Sequence, residues 1–523
     1  MPKRGPGSMG SGSSFFRRTT GLSFALSMAI LGFLLSFSLT WKYGLGMRQE
    51  TIAYTTCAQN LLQGQGFSCF FDISGEVYVL WPPFLPLVLA FLTVVTSAHT
   101  LGILRILNAA SFGLAVLLLT LLVRKHVKSK EVALFGSFLI LSSKPLLFVS
   151  VSGWSESFFI FLVLLAFYSF EKYIQLDKRA DLFLAAILVS LAAFTRYAGV
   201  SAILAGIILI LSLRTSWKRR WLDAGIFGAI ASLPLAAWLV RNELVTKTLT
   251  GPREPSRISL LDNLYGLLNC ASSWFIPFPF RPPLRIAIFL LVVSAVAYGF
   301  LRQKKRTSAG PQASLGRGDW AWIAVSLCYF GFIWITRSLL ELEPLTDRYL
   351  APLAAPLVVV VLVLIDRGFG HLLALREKPA LRMTVFLLAA FYLLSAFYSQ
   401  VQAATGILAT DGKRIMAPPE NSRLLAQLQQ LASPKNIFYS NTPDILTVLT
   451  GIPMKWSPQR IFPMNIDLRK KNPDGDAFLV WRPRRTINKF LFPDEIRKRF
   501  NLELIFSSPD GDIYRLSRYK RAG

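Results

Sequence analysis

Glu50 is the first side chain in the sequence that could act as a general base. It follows the first long apolar run, residues 21–40, and precedes Tyr54 by about one helical turn. A carboxylate at a membrane interface is partly desolvated, which makes it a better proton acceptor toward a hydroxyl group. A solvated loop acid, or an ion-pair partner of Arg48, is the alternative interpretation of this residue.

Two more acids, Asp72 and Glu76, lie in the same polar stretch, residues 48–86. We predict that Asp72 is a second catalytic carboxylate and that Glu76 binds substrate, although acids in loops are more often simply solvated. Glu50 with Asp72 could also hold a divalent metal, but two carboxylates alone are a weak metal pattern. The cysteines and histidines show no metal-ligand spacing. We therefore predict no cofactor, with a divalent metal as the weak alternative.

Arginines near the ends of later apolar runs supply a second kind of chemistry. A guanidinium group stays charged, and its planar fork matches the oxygens of a phosphate. Snorkelling at the end of a span is the alternative for Arg196 and Arg241. An ion pair with Asp347 is the alternative for Arg348, and a helix cap is the alternative for Glu156. The predicted substrate-binding residues are Tyr54, Glu76, Glu156, Arg196, Tyr197, Arg241, Asn242, Arg253, Arg257, Asp347, Arg348 and Tyr349.

These side-chain types together suit one reaction class. Arginines would stabilise a phosphate leaving group, and a carboxylate beside them would deprotonate an attacking hydroxyl. This chemistry requires Glu50 to lie close to Arg241 and Arg348 in a cavity on the non-cytosolic side of a membrane. We state that proximity as an expectation of the sequence.

The elements that must position these residues are membrane helices. Of the 523 residues, 53% are hydrophobic and only 16% are charged, whereas soluble domains carry about 25% charged residues. Several apolar runs approach the roughly 20 residues that cross a bilayer. The sequence therefore predicts a polytopic α-helical membrane protein and excludes a soluble one. The net charge of +28 is explained by positively charged cytoplasmic loops, so no nucleic-acid partner is predicted.

Basic clusters between the apolar runs indicate the orientation of the chain. They recur in alternate connections, as the positive-inside rule requires if the N-terminal tail is cytoplasmic. This pattern predicts about eleven spans in an inner or plasma membrane, with the large loops and the C-terminal region outside. The basic clusters occupy residues 124–130, 172–179, 214–220, 302–306 and 367–382.

The sequence divides into three predicted regions. Residues 1–20 form a disordered cytoplasmic tail, and residues 21–402 form the transmembrane domain, with outer loops at 42–100 and 241–284. Residues 403–523 form a small extracytoplasmic α/β module, with predicted strands at 436–440 and 476–481, a helix at 494–500, and a hairpin of 503–506 with 513–516 about the turn at 508–511. In the first outer loop, Cys57 and Cys69 are either two buried thiols or, in an oxidising compartment, a disulfide.

The motifs and their order resemble the membrane-embedded GT-C glycosyltransferases, in the group of protein O-mannosyltransferases and aminoarabinose transferases (glycosyltransferase family 39-like). The resemblance covers most of the chain. Its motifs are Glu50, Tyr54, Ala58 and Asn60-Leu61; Gly64-Gln65-Gly66-Phe67; Trp81-Pro82-Pro83; Ser155-Glu156; Thr195-Arg196-Tyr197; Trp238 with Arg241-Asn242; Asp347-Arg348-Tyr349-Leu350; and Tyr439-Ser440-Asn441 with Pro443-Asp444. Many relatives have Asp at the position of Glu50, often beside a second acid, whereas the neighbours here are Gln49 and Thr51.

The resemblance implies a transferase that uses a polyprenyl-phosphate-linked sugar donor at the outer face of the bilayer. In the implied inverting reaction, Glu50 accepts the proton of an acceptor hydroxyl on a protein, lipid or glycan. Arg241 and Arg348, with Arg196 and Arg257, hold the departing phosphate. A transporter or flippase for a lipid-linked substrate is the competing class, because it would also place charges inside a helix bundle.

Overall fold

A computed structural model gives the fold. It describes residues 11–69, 77–213, 216–251, 253, 255–306, 316–341, 345–373, 379–409, 422–458, 475–482, 491–498 and 500–518. The chain forms two compact units. The helical unit comprises Met1–Leu45, Gly102–Arg241 and Arg253–Ile407, and the mixed unit comprises Gly46–Leu101, Asn242–Pro252 and Leu408–Gly523.

The elements are named in chain order. The described helices are α1 (Ser11–Tyr43), α2 (Gln49–Leu62), α3 (Phe84–Thr96), α4 (Thr100–His126), α5 (Lys130–Leu141), α6 (Lys144–Ser150), α7 (Glu156–Leu176), α8 (Arg179–Thr195), α9 (Val200–Ser212), α10 (Trp217–Thr246), α11 (Leu260–Phe275), α12 (Pro282–Arg306), α13 (Arg317–Leu339), α14 (Asp347–Leu373), α15 (Pro379–Ile407), α16 (Arg423–Leu431), α17 (Pro443–Thr450) and α18 (Pro493–Ile496). The described strands are β1 (Ile437–Ser440), β2 (Met454–Trp456), β3 (Ala477–Trp481), β4 (Phe500–Ser508) and β5 (Gly511–Arg518). A 3-10 turn, Tyr197–Gly199, joins α8 to α9.

Helices that could cross a bilayer dominate the fold. Among the described residues, 8 helices are long and apolar enough: Gly21–Tyr43, Thr100–His126, Lys130–Ser150, Glu156–Leu176, Trp217–Thr246, Gly318–Leu339, Asp347–Arg367 and Met383–Ile407. Shorter apolar helices cover Phe84–Thr96, Tyr197–Ser212 and Pro282–Tyr298. The predicted fold class, a polytopic helical protein with a small C-terminal sheet module, is confirmed, whereas the count of about eleven spans is not.

Three elements differ from the sequence expectation. α1 begins at Ser11, inside the segment predicted as a disordered tail. The apolar run at 132–151 is divided into α5 and α6, because Ser142 ends the first helix and Pro145 lies in the first turn of the second. α11 occupies a segment predicted as a loop, and the Ser259 hydroxyl caps it by accepting a hydrogen bond from the Asp262 amide at 3.1 Å.

A buried ionic cluster joins the ends of four helices in the helical unit. His126, the last residue of α4, has Nδ1 2.6 Å from Asp319 of α13 and Nε2 3.1 Å from Glu171 of α7. Lys125 pairs with Glu171 at 2.8 Å, and Arg367 of α14 pairs with Asp319 at 2.5 Å. Since both ring nitrogens of His126 face a carboxylate, an imidazolium with two N–H donors fits this position. The cluster therefore cross-links α4, α7, α13 and α14.

The mixed unit contains a five-stranded sheet with the order β2-β1-β3-β5-β4. The first three of these strands are parallel, and β3, β5 and β4 pair antiparallel. The stacked rings of Phe438 and Phe478, 5.2 Å apart, lie in its core, against which α16 packs Leu424 and Leu428. The strands β1 and β3 and the β4–β5 hairpin lie where the sequence predicts them. The predicted helix at 494–500 is shorter, because Phe500 already begins β4.

Candidate functional site

Glu50 lies in the first turn of α2, in the mixed unit, and is 8% exposed. The N-terminus of a helix favours a negative charge, because its amide groups and its dipole point toward the side chain. Tyr54, one turn later, is buried, and its ring meets Trp81 edge to face at 6.0 Å between centroids. The predicted acid and tyrosine therefore lie on one buried helix, and the Trp81 side chain covers the tyrosine.

The polar stretch after α2 is held close to this helix within the mixed unit. Asn60 of α2 donates a hydrogen bond to the Ser68 carbonyl at 3.0 Å. Tyr78 donates to the Pro82 carbonyl at 3.4 Å, and its ring lies 6.0 Å from Trp81. All four cysteines are thiols, and Cys57 and Cys69 are buried. The disulfide alternative is therefore not the arrangement in this structure.

Asp72 and Glu76 lie outside the described residues, so their predicted roles remain predictions. Within the described part of the chain, no group of three or more His, Cys, Asp or Glu side chains could hold a metal ion. Because Asp72 was the proposed companion of Glu50 in such a site, the metal alternative is not tested by this geometry.

Glu156 is the centre of a buried ion cluster in the helical unit. It is the first residue of α7 and is fully buried. Its Oε1 atom lies 2.9 Å from Nη1 of Arg196 and 2.7 Å from Nε of Arg348. Arg196 connects α8 to the 3-10 turn and also donates to Ser155 Oγ at 2.9 Å. One carboxylate thus fixes two guanidinium groups that come from separate elements.

Aromatic rings lie against the guanidinium group of Arg348. Arg348 lies over Trp154 at 4.4 Å from the ring centroid and over Tyr349 at 5.2 Å. Tyr329 of α13 donates a hydrogen bond to the Tyr349 carbonyl at 2.8 Å. Contacts of a cation with an aromatic face are strengthened by desolvation. The orientation of Arg348, which is 3% exposed, is therefore fixed by a carboxylate and by ring faces.

Asp347, the neighbour of Arg348, binds two different partners. Its Oδ2 pairs with Lys144 of α6 at 2.9 Å, and its Oδ1 accepts a hydrogen bond from Trp274 of α11 at 2.8 Å. Glu156 supplies the carboxylate that Arg348 contacts directly. The start of α14 is consequently held by ion pairs to two other helices.

Arg241 belongs to a chain of contacts that begins next to Arg196. Trp238 of α10 donates from Nε1 to the Tyr197 hydroxyl at 3.3 Å. The guanidinium of Arg241 lies over the Trp238 ring at 4.7 Å. Tyr197 directly follows Arg196 in the chain. The helical unit therefore links the predicted residues Glu156, Arg196, Tyr197, Arg241, Arg348 and Tyr349.

Three other predicted residues lie in the last turns of α10 or after its end. Asn242 is buried in the mixed unit and donates to the Leu249 carbonyl at 3.0 Å, which closes a turn. Arg253 and Arg257 are exposed. The backbone amide of Arg257 donates to Glu341 at 3.1 Å. These two arginines are therefore less enclosed than Arg196 and Arg348.

Sequence reasoning overlooked Asn108 and Lys144. Asn108 is a fully buried amide inside the apolar α4, and Lys144 is a cation at the start of α6. A polar residue inside an apolar span is costly unless it has a defined partner. That signal could have identified Asn108 from the sequence, whereas the pairing of Lys144 with Asp347 could not have been read from sequence spacing.

Comparison with known proteins finds one segment that matches a family model and solved structures with a similar fold. Residues 91–244 match the family model of dolichyl-phosphate-mannose-protein mannosyltransferase. No curated protein matches the sequence. The structure is similar to apo ArnT from Cupriavidus metallidurans, with a TM-score of 0.60 and 14% identity, covering 95% of this chain and 98% of that chain. The same ArnT bound to undecaprenyl phosphate gives a TM-score of 0.59 and 13% identity, covering 95% of this chain and 98% of that chain.

The apo oligosaccharyltransferase from Archaeoglobus fulgidus is a more distant match, with a TM-score of 0.51 and 15% identity, covering 85% of this chain and 65% of that chain. The chain has the GT-C glycosyltransferase fold. The resemblance predicted from the sequence is thereby confirmed, by the matching segment and by the fold. The chain is an integral, multi-pass membrane protein, as its apolar helices indicate.

Proposed function

We propose that this GT-C chain transfers a sugar from a polyprenyl-phosphate donor to an acceptor hydroxyl at the outer face of the membrane. The observation that carries the proposal is the pair Arg196 and Arg348, both oriented by the buried Glu156. A guanidinium has five N–H donors, so it can pair with a buried carboxylate and still bind a phosphate oxygen. The similarity to an ArnT that binds undecaprenyl phosphate supports this donor class.

In the proposed reaction, Glu50 accepts the proton of the acceptor hydroxyl as the oxygen attacks the anomeric carbon. The new glycosidic C–O bond forms on the face opposite the leaving group, so the configuration is inverted. The bond between the anomeric carbon and the phosphate oxygen breaks, and polyprenyl phosphate leaves with the bonding electron pair. Glu50 ends the step protonated and returns its proton to solvent.

Arg196, Arg241 and Arg348 are proposed to bind the phosphate as its negative charge increases. Donors held in place before the reaction need no reorganisation in the transition state, so they stabilise it strongly. The ion pair with Glu156 and the ring of Trp154 hold Arg348 in place before the reaction. Removing one such donor typically lowers the rate about 10²- to 10³-fold.

The outer-face assignment rests on the distribution of basic residues. α4 ends in Arg124-Lys125-His126, and basic residues follow in the next connections. Positive charge in short loops favours the cytoplasmic side. The acceptor is proposed to be a hydroxyl on a protein, a lipid or a glycan, and mass spectrometry of surface glycans in cells that lack the protein would identify which.

The direct test reconstitutes the purified protein in liposomes with a labelled polyprenyl-phosphate sugar and candidate acceptors. We expect glycosylated product and polyprenyl phosphate in equal amounts. Arg348→Ala should lower the rate at least 100-fold, on the order of one lost transition-state contact. Arg515→Ala, which removes an arginine with a 45% exposed side chain on β5, is the matched control. Uptake of the donor without glycosidic product would instead support a transporter.

A further inference from the structure

The connection between α6 and α7 is irregular but entirely buried. It covers residues 151–155, all of which are buried. Even the large side chain of Trp154 is only 4% exposed. Buried backbone carbonyls need hydrogen-bond partners, and an irregular segment cannot supply them from a helix of its own. Partners must therefore come from a neighbouring element.

Asn108 of α4 supplies those partners. Its Nδ2 atom donates to the Ser152 carbonyl at 2.6 Å and to the Trp154 carbonyl at 3.1 Å. The backbone carbonyl of Asn108 also accepts a hydrogen bond from Ser157 Oγ at 3.1 Å. Three hydrogen bonds thus connect one position on α4 to this segment and to the first turn of α7.

The segment held by Asn108 carries the side chains that orient both arginines. Trp154 contacts the face of Arg348, and Ser155 accepts a hydrogen bond from Arg196. The next residue, Glu156, pairs with both guanidinium groups. A shift of the Trp154 carbonyl would therefore move a contact of Arg348 and the adjacent contact of Arg196 together.

We propose that Asn108 is a positioning residue for the arginine pair, acting through the 151–156 segment without touching the substrate. This inference rests on the proposed function, in which the arginines bind the donor phosphate. A buried amide inside an apolar helix is expensive unless a specific structure requires it. The buried carbonyls of Ser152 and Trp154 require such an amide donor.

The test compares Asn108→Leu with Gln400→Leu. Gln400 is also a fully buried amide. It donates a hydrogen bond at 3.0 Å to the carbonyl of Leu141, the last residue of α5. The two substitutions remove similar groups, but only one removes a contact with the 151–156 segment. The probe is undecaprenyl phosphate in detergent micelles, and the measured quantities are its Kd and the hydrogen exchange of amides 151–157.

We expect Asn108→Leu to weaken binding of undecaprenyl phosphate at least tenfold and to speed exchange in residues 151–157. Gln400→Leu should leave both quantities within twofold of the wild type, even if its melting temperature falls. Asn108→Gln, which keeps both N–H donors, should recover part of the affinity. If Asn108→Leu fails to fold, Asn108→Ser, whose hydroxyl is too short to reach both carbonyls, takes its place.

Three outcomes would overturn the inference. Wild-type affinity and exchange in Asn108→Leu would show that Asn108 positions nothing, and would leave the proposed function intact. An equal loss of affinity in Gln400→Leu would show a general loss of packing. If the wild-type protein binds no undecaprenyl phosphate and transfers no sugar, the proposed function fails and the role of Asn108 in it fails too.

Discussion

Glu156 shows how one buried carboxylate can orient two arginine side chains. Burying arginine side chains is costly unless they are paired and hydrogen-bonded. Glu156 pairs with Arg196 and with Arg348, and Trp154 adds a ring face for Arg348. The same contacts that make burial tolerable also fix the direction of the remaining donors. In the proposed function, stability and phosphate recognition would therefore have the same requirement at this position.

At the residue scale, Glu50→Gln tests the proposed base. The substitution keeps the size of the side chain and removes its ability to accept a proton. We expect the transfer rate to fall about 10²- to 10⁴-fold, the usual contribution of a general base, while the donor KM changes little. The rate is measured with labelled donor in proteoliposomes.

Glu503→Gln is the matched control for Glu50→Gln. Glu503 lies on β4 in the same mixed unit, and its side chain is 64% exposed. Its substitution should leave the rate within twofold of the wild type. Full activity in Glu50→Gln would assign proton abstraction to a different group.

Cys270 gives a pH-dependent prediction at the same scale. It lies on α11, where burial and the nearby Asp347 raise the pKa of its thiol to about 12. Only the thiolate reacts with a maleimide, so labelling below that pKa is slow. The rate should rise about tenfold per pH unit as the pH increases toward the pKa.

The labelling of Cys270 is measured by mass spectrometry of the peptide that contains it. The unfolded protein is the control, because its thiols have the ordinary pKa of about 8.5 and should react rapidly at pH 8. Equally rapid labelling of Cys270 in the folded protein would contradict the raised pKa of its thiol.

At the element scale, the close contact between α9 and α10 depends on Gly206, which has no side chain. A Cβ atom at Gly206 of α9 would lie 2.3 Å from the Phe227 ring of α10. That distance is far below van der Waals contact, and a rigid ring cannot move aside locally. Small residues at such crossings are typical of membrane helices, where packing replaces the hydrophobic effect.

Gly206→Ala should therefore destabilise the protein by about 1–3 kcal/mol, the usual cost of overpacking. The measurement is thermal unfolding in detergent. Gly225→Ala is the control, because a Cβ at that helical position meets no atom within 4 Å. It should be neutral or slightly stabilising, since Ala favours helix more than Gly does. Equal melting temperatures for the two variants would contradict the close contact between α9 and α10.

α11 shows why an element can escape sequence analysis. Its 16 residues include too few consecutive apolar positions to be recognised as a span. Its buried residues are only Asn263, Leu267 and Ser272, while Leu260 and Leu261 are exposed. Polar flanking residues and prolines made the whole region look like a loop. Its helical form depends on packing against the rest of the helical unit.

At the scale of the whole molecule, the cluster around His126 holds four helices together. Glu171 is fully buried and contacts both Lys125 and His126. Replacing Glu171 by Gln would leave these cations without their carboxylate. Breaking a buried pair by removing one partner typically costs about 3–5 kcal/mol, so a clear fall in melting temperature is expected.

Glu131→Gln is the control for this substitution. Glu131 is exposed in the first turn of α5, where charge contributes less than about 1 kcal/mol. Both variants are compared by thermal unfolding of the purified protein in one detergent. An unchanged melting temperature for Glu171→Gln would show that the cluster does not contribute to holding the helices.

The sequence by itself determined that this protein is a polytopic helical membrane protein, and it supplied the candidate residues for the proposed chemistry. Apolar runs long enough to cross a bilayer require helices, because backbone groups in lipid must bond to one another. A polar centre was indicated by Glu156 and Arg196, which interrupt apolar runs, and by Arg348, which precedes one, since buried charges need partners. The hairpin of β4 and β5 followed from a local turn, Ser508 to Gly511.

Only the tertiary structure decided which residues meet. Glu156 and Arg348 are 192 positions apart, and Lys144 and Asp347 also come from distant segments. Such pairs depend on the directions in which packed helices bring their ends together, and no local pattern records those directions. The proposed role of Asn108 could not be read from the sequence either, because its partners are backbone carbonyls, which every residue possesses.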